Sequence, residues 1–424
     1  MKPVVIVGGG ISGLSTAYYL SKAGIPVKLI ERETQLGGFL QTEVVDGCVI
    51  EHGPDSFINS KPWARELIEE LGMGDQLIGS NDHLRATYIW RSGRMIKMPE
   101  GLTLMVPARF GPVMRTSLLS WGSKLRMLAE ISRRPVKQQE DRSVADFVKD
   151  HYGQEVVDYL AEPLLAGVYG GDVTQLSAAS VLPRFVEWEA QYGSVSRGAM
   201  KLTSASPSPL FGTLKQGCGQ LISQLKLHTK AEIVQGTVEK IEKGYRIRVD
   251  GDWIEADQVV VACKPELVLP NLFPAMTYSS STVVALLFNK SEIEHPLNGF
   301  GFLVPKKERK SIAACTWVGT KFDHRVPADK VLLRCFVNGN VKDVLPELRE
   351  KMGINAAPIL QRVIPWPDSM PQYTVGHAAR IQLIEDMLKD FPGLHLVGNA
   401  YYGIGIPDCI RMAKQVAERI ITSA

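Results

Sequence analysis

Six residues near the amino terminus, Gly8-Gly9-Gly10-Ile11-Ser12-Gly13, and one acid, Glu31, have the types and spacing for binding a dinucleotide. Gly8 permits a tight turn, Gly10 lacks a Cβ and admits a pyrophosphate, and Gly13 lets a helix pack closely on a strand. Glu31, 18 residues after Gly13, is placed to accept hydrogen bonds from both ribose hydroxyls. Such a set works only if other elements hold it. The run Val4-Val5-Ile6-Val7 reads as a strand buried on both faces. Leu14 to Ala23 has helical periodicity and stops at Gly24. Val27-Lys28-Leu29-Ile30 reads as the next strand, ending at the acid. The helix amino terminus would offer free N–H groups and a positive dipole end to phosphates. The alternative is a glycine-rich turn without a ligand.

Composition narrows the rest. The 424 residues suggest one large composite domain or two to three smaller units, at about 150 residues each. Forty-eight Lys and Arg against 45 Asp and Glu leave a net charge of +3, which argues against a nucleic-acid binder. Cys48, Cys218, Cys263, Cys315, Cys335 and Cys409 form no CxxC pair, and the eight histidines form no HxxxH. No metal site is expected, and the cysteines read as reduced thiols of a cytoplasmic protein. No apolar run reaches 18 residues, and no secretory leader is read. No repeat is visible, and Ser204–Pro209 reads as a loop.

Further along, residues 61–80 look helical, and Thr87 to Ile96 reads as a hairpin turning at Ser92-Gly93. Residues 101–139 interleave Arg109, Arg115, Lys124, Arg126, Arg133, Arg134 and Lys137 with Leu104, Trp121, Leu125, Leu128 and other apolar residues. Glu130 is the only acid among them. That pattern suits either peripheral contact with an anionic bilayer or a helical domain with a solvated basic face. Ser143 caps a helix pair reaching Leu160, and Gly167, Gly170 and Gly171 suggest either a close backbone approach to something flat or a tight loop without a ligand. Asp257 to Ala262 and Leu394 to Asn399 read as buried strands returning to the first sheet. Thr282–Phe288 and Val331–Val337 read as strands of a second, antiparallel sheet. The Gly398–Ile410 run, with Pro407 and Asp408 at a helix start, aims another helix amino terminus at a ligand.

Gly37-Gly38 and the segment Glu51-His52-Gly53-Pro54-Asp55-Ser56-Phe57 resemble the glycine pair and ExGPxxF run of the flavin monooxygenase, amine oxidase and desaturase superfamily. Glu162 to Asp172, Pro371-Gln372-Tyr373-Thr374-Val375-Gly376-His377 and Gly398 to Ile410 narrow this further. Together they resemble the oxygen-dependent protoporphyrinogen oxidase family and the related bacterial coproporphyrinogen III oxidases, over nearly the whole chain. The resemblance implies an enzyme of haem biosynthesis, an oxidoreductase acting on CH–CH donors. It would remove six electrons from a porphyrinogen while three O2 become H2O2. The chemistry would sit on flavin N5, so no side chain is assigned a catalytic role. It implies FAD contacts from Gly8, Gly10, Ile11, Ser12, Gly13, Glu31, Arg32, Gly37, Gly38, Gly53, Pro54, Asp55 and Ser56. Val238 would meet the adenine through its backbone, Ile404, Gly405 and Ile406 the flavin edge, and Trp366 either the flavin or the core. Gly167 would pack on the substrate. Where plant and mitochondrial enzymes hold a propionate with arginine this chain has Thr87, with Arg85 and Arg91 nearby. Met98 to Pro107 resembles the coproporphyrinogen branch, and both substrates stay open.

The fold expected is α/β: a discontinuous, doubly wound Rossmann-type FAD domain from residues 1–80, 211–275 and 376–424. An antiparallel substrate domain covers 276–375, and residues 81–210 form a helical and substrate insertion that is a candidate for membrane binding. A homodimer, a ferrochelatase and the inner face of the membrane are candidate partners. Rival readings are another flavin amine oxidase or desaturase, or a flavin-free binding protein like the Rab GDP-dissociation inhibitors.

Overall fold

The computed structural model of this chain describes residues 2–135, 140–201, 209–337 and 343–423. The Ser204–Pro209 run, apart from Pro209, and Lys137 lie outside the described residues. Two units divide the chain: Met1–Ser80 with Ser208–Met276 and Ala379–Ala424, and Asn81–Pro207 with Thr277–Ala378.

The first unit is built on a five-stranded sheet in the order Glu232–Gln235, Val27–Glu31, Val4–Val7, Val259–Val261, Leu394–Leu396. Every neighbouring pair is parallel. The uninterrupted apolar run at Val4–Val7 follows from cover on both faces. Val4 and Ile6 enter one core with Leu14, Leu20, Ile410 and Ala417. Val5 and Val7 enter the other with Ile247, Val249 and Val261. Each such side chain stabilises the fold by about 1.5–3 kcal/mol relative to an exposed one. Helices Ile11–Lys22, Gly219–His228 and Ile406–Ser423 contribute to the first core. The antiparallel sheet Val238–Glu242, Arg246–Val249, Asp252–Glu255 contributes to the second, so sheet rather than helix covers that face.

Residues 61–80 are not one helix. Trp63–Glu70 is helical, and Leu71 caps it. Gly72 then turns at φ 74° and the chain continues as the strand Leu77–Gly79. Two glycines within three residues, Gly72 and Gly74, stop propagation there.

The second unit carries a seven-stranded sheet in the order Leu360–Pro371, Tyr278–Asn289, Lys330–Val337, Ile312–Trp317, Gly301–Leu303, Thr87–Arg91, Arg94–Lys97. It is antiparallel except where Gly301–Leu303 runs parallel to Thr87–Arg91. That pair joins distant pieces of chain, so no hairpin dictates its direction. The hairpin turn at Ser92 and Gly93 has φ of 51° and 77°, as a two-residue turn requires. Residues 110–200 are mainly helical. Ser143 caps Val144–Tyr152 by accepting from Asp146 N. Gln154–Val156 then passes through a π-turn at Val157–Ala161 into Glu162–Tyr169. The segment expected as a loop from Glu162 is therefore a helix as far as Tyr169, ended by Gly170 in the left-handed region at φ 57°. The two glycines after Tyr169 mark the stop, and Gly167 is tolerated inside the helix.

Candidate functional site

The glycine-rich turn of the first unit joins Val4–Val7 to Ile11–Lys22. Gly8 has φ 107°, which only glycine adopts readily. At Gly13 a Cβ would stand 1.9 Å from Gly8 O, so that glycine serves helix–strand packing. At Gly10 a Cβ would meet nothing nearer than Gly38 Cα at 4.0 Å. The protein itself does not demand glycine there. Gly37 N donates to Gly9 O at 2.9 Å, which brings the second glycine pair beside the first. Glu31 accepts from Gly9 N at 2.6 Å and Glu33 N at 3.0 Å, at the edge of the same turn. Arg32 is exposed and pairs with Glu33. The buried first turn from Ile11 through Ser12 has no side-chain cap and no acid, and the Ser12 and Gly13 N–H groups find no acceptor among the described residues. Unclaimed donors at a helix amino terminus form an anion site.

Sequence reasoning missed what holds this turn's surroundings. Glu51 is buried and accepts from Cys218 N at 2.7 Å and Thr42 Oγ1 at 2.6 Å, while Thr42 Oγ1 accepts from Gly219 N. That closes Gly219–His228 onto the segment leading to Gly53. A Cβ at Gly53 would stand 2.1 Å from Phe39 O, so this glycine has a packing reason. Pro54 is exposed, and Ser56 donates to Asp55 at 2.6 Å. Lys61 donates to both oxygens of Asp408, at 2.8 and 2.6 Å, in the first turn of Ile406–Ser423. Asp408 is buried against the Gly403–Gly405 turn, which fixes Ile404, Gly405 and Ile406. Val238 begins the antiparallel sheet of this unit.

In the second unit, Gly167 is exposed on Glu162–Tyr169, and a Cβ there would meet only Leu303, at 4.0 Å. The helix start is clamped: Glu162 accepts from Arg309 at 2.7 Å and from Lys306 N at 2.8 Å. Arg91 is committed within the unit. It donates to Leu118 O and to Glu155, and lies over the Tyr159 ring at 4.0 Å. Burial favours the neutral Glu155 carboxyl, but Ser120, Ser123 and Arg91 hold it down to about 2. Arg91 also lines a groove of about 650 Å³ with Arg94, Lys97 and Ser117. Arg85 is half exposed, with Asp82 at 3.7 Å. Trp366 stands half-buried on Leu360–Pro371 in this second unit, opposite Ser281.

A buried ionic cluster was also not foreseen. His151 lies 2.8 Å from Glu130 through Nδ1 and 2.9 Å from Glu189 through Nε2. Asp150 joins His151 and Glu189 within 4.8 Å. Burial disfavours the imidazolium, but the two carboxylates overrule it and raise the His151 pKa. When protonated, the ring donates from both nitrogens to acids, which is ion pairing rather than metal ligation.

The flavin-containing amine oxidoreductase description matches residues 11–421. The chain belongs to that family. Among its relatives, the coproporphyrinogen III oxidase of Bacillus subtilis (strain 168) is 32% identical, over 99% of this chain and 98% of that one. The mitochondrial protoporphyrinogen oxidase of Nicotiana tabacum is 25% identical, over 99% and 95%. A solved structure from Exiguobacterium sp. 255-15, provisionally named a protoporphyrinogen oxidase, superposes with a TM-score of 0.88 at 32% identity over 100% and 99% of the chains. A flavin-containing oxidoreductase needs a dinucleotide cradle, and the first unit fits one. It has unclaimed helix N–H donors, open space at Gly10 and a carboxylate at the end of the second strand.

Proposed function

We propose that this member of the family is an FAD-dependent porphyrinogen oxidase that takes coproporphyrinogen III to coproporphyrin III. The reaction would remove six electrons and six protons while three O2 become three H2O2. The observation that carries the reading is the Gly8–Gly13 turn, with its unclaimed Ser12 and Gly13 donors and Glu31 at its edge. FAD, when bound, supplies a two-electron acceptor that dioxygen regenerates.

The roles of this chain's residues follow from that. The Ser12 and Gly13 N–H groups would meet the pyrophosphate, with Gly8, Gly10, Ile11, Gly37 and Gly38 giving it room. Glu31 would take the ribose, with Arg32 beside it. Val238 would reach the adenine through its backbone. Gly53 to Ser56 and Ile404 to Ile406 would border the cofactor, and Trp366 would face the ring system. Gly167 would present a bare backbone to the macrocycle. Its open surroundings support this, because a helix-interior glycine costs about 1 kcal/mol and nothing in the unit requires it. Of the two arginines, Arg85 has the freer guanidinium for a propionate, since Arg91 is tied to Glu155.

The coproporphyrinogen preference is supported by relatives of that name at 29–32% identity, against 25% for the tobacco enzyme. Purified protein assayed in parallel on coproporphyrinogen III and protoporphyrinogen IX, by porphyrin fluorescence, tests it. The expected result is faster turnover of the four-propionate substrate; a preference for protoporphyrinogen IX would reverse the assignment.

No helix of the described residues is long and apolar enough to cross a membrane. Peripheral contact is a separate reading. It is supported by Trp121, Leu125 and Leu128, exposed along Trp121–Ala129, with exposed Arg109, Arg115, Arg126 and Arg134 in the same region. Co-sedimentation with phosphatidylglycerol vesicles but not phosphatidylcholine vesicles is the expected outcome, and loss of binding in Trp121→Ser is its control.

A further inference from the structure

Gln372 follows directly after the Leu360–Pro371 strand, and its side-chain amide faces three oxygens. Its Nε2 stands 2.9 Å from Tyr169 O, 2.9 Å from Ser279 Oγ and 3.0 Å from Met370 O. Two of these are carbonyls and can only accept, so the amide nitrogen must face them. The backbone of Gln372 is itself fixed, donating to Thr277 O at 2.8 Å.

Tyr169 is the last residue of the helix that carries Gly167, and its carbonyl is one the helix cannot satisfy internally. The two glycines that follow fit around the same amide. A Cβ at Gly171 would stand 2.0 Å from Gln372 Oε1, and one at Gly170 would stand 3.1 Å from Ser279 Oγ. Arg309 holds Glu162 just past the π-turn, so the last eight residues of this helical run are gripped at both ends. The last turn of a helix frays readily, so the position of this end depends on such grips.

We propose that Gln372 is a positioning residue: by donating to Tyr169 O it fixes the helix end that presents Gly167 to the porphyrinogen. Its consequence for turnover rests on the porphyrinogen reading above; its hold on the helix does not. The chemistry demands a donor of this length. Glutamate has the same shape but turns acceptors toward acceptors when ionised, and regains one donor when protonated.

The test uses FAD-loaded full-length protein with Gln372→Glu and Gln372→Met, compared with wild type at each pH from 5.5 to 8.5. Two quantities are read: hydrogen–deuterium exchange of the peptide covering residues 164–171, and KM and kcat for coproporphyrinogen III. At pH 8.5, Gln372→Glu is expected to raise KM about tenfold and to speed exchange at the helix end by a similar factor. The kcat should stay within about twofold and the FAD content unchanged. Both ratios should fall back toward one as pH drops. Gln372→Met should show the loss at every pH, since it has no donor to regain. A merely structural glutamine would give equal losses in both variants at all pH values, with loss of FAD, and that result overturns the proposal. So do wild-type exchange and KM in both variants. If wild type oxidised no porphyrinogen, the functional reading would fall, while the exchange ratios would still decide the role of Gln372.

Discussion

Replacing Gly10 with alanine separates packing from cofactor binding. Gly10 has φ −73° and ψ −177°, a conformation any residue adopts. The added methyl would find its nearest neighbour, Gly38 Cα, at 4.0 Å, an ordinary contact. Alanine is a poorer N-cap than glycine by up to about 1 kcal/mol, but it reduces unfolded-chain entropy by a similar 0.4–1 kcal/mol. These terms oppose each other, so flavin-stripped protein should change in stability by less than about 1 kcal/mol. Binding should change far more. A methyl in the space the pyrophosphate uses would displace it from one or two N–H donors, each charge-assisted bond contributing about 1.5–3 kcal/mol. A loss of about 3 kcal/mol weakens FAD binding about 150-fold. Fluorescence titration with FAD and a urea melt of the stripped protein measure the two effects. Gly13→Ala is the contrast: its Cβ would stand 1.9 Å from Gly8 O, so the fold itself should suffer. An FAD Kd within threefold of wild type in well-folded Gly10→Ala would refute the placement of the phosphates.

Other outcomes follow from the same geometry. Gly167→Ala should stabilise its helix by about 1 kcal/mol and yet raise KM for the porphyrinogen, because its Cβ occupies space the protein leaves open; an unchanged KM would remove Gly167 from the substrate surface. Lys61→Met strips the buried Asp408 of its main partner and should cost about 3 kcal/mol in a urea melt, much of it recovered by adding Asp408→Asn. The His151 pKa is raised above 6.5, so its contribution to stability is full below that pH and is lost as pH rises through the folded value. Glu130 and Glu189 are held below 4.5, against burial that would raise them, chiefly by hydrogen bonds from His151. Their contribution is present above about pH 4.5 and is lost on acidification. Urea midpoints should therefore fall on both sides of the interval, and His151→Gln should flatten the alkaline side.

What could be read from the sequence was local and periodic. Val4–Val7 was legible because cover on both faces leaves no polar residue in it, and the turn at Gly8–Gly13 because Gly8 turns at positive φ and Gly13 packs against Gly8 O, while Gly10 leaves open space. Apolar spacing continues past Leu71, so the pattern over 61–80 looks helical to its end, but Gly72 and Gly74 decide the backbone. The glycines at 167, 170 and 171 suggest a loop from Glu162, yet the chain stays helical through Gly167 and stops only where Gly170 and Gly171 stand together. The groups that hold the candidate sites in place were hidden for a different reason. Glu51 reaches Cys218 across 167 positions, Gln372 reaches Tyr169 across 203, and Arg309 reaches Glu162 across 147. No periodicity links such pairs, so only the folded chain joins them. The same holds for Arg91, whose type suits a propionate but whose guanidinium is already claimed by Glu155.

Anaerobic mixing of oxidised, FAD-loaded protein with coproporphyrinogen III tests the central claim directly, with flavin absorbance and porphyrin fluorescence followed together. Bleaching of the flavin with one porphyrin formed for every three flavins reduced is the predicted result. A flavin that stays oxidised in the presence of excess porphyrinogen would contradict the account.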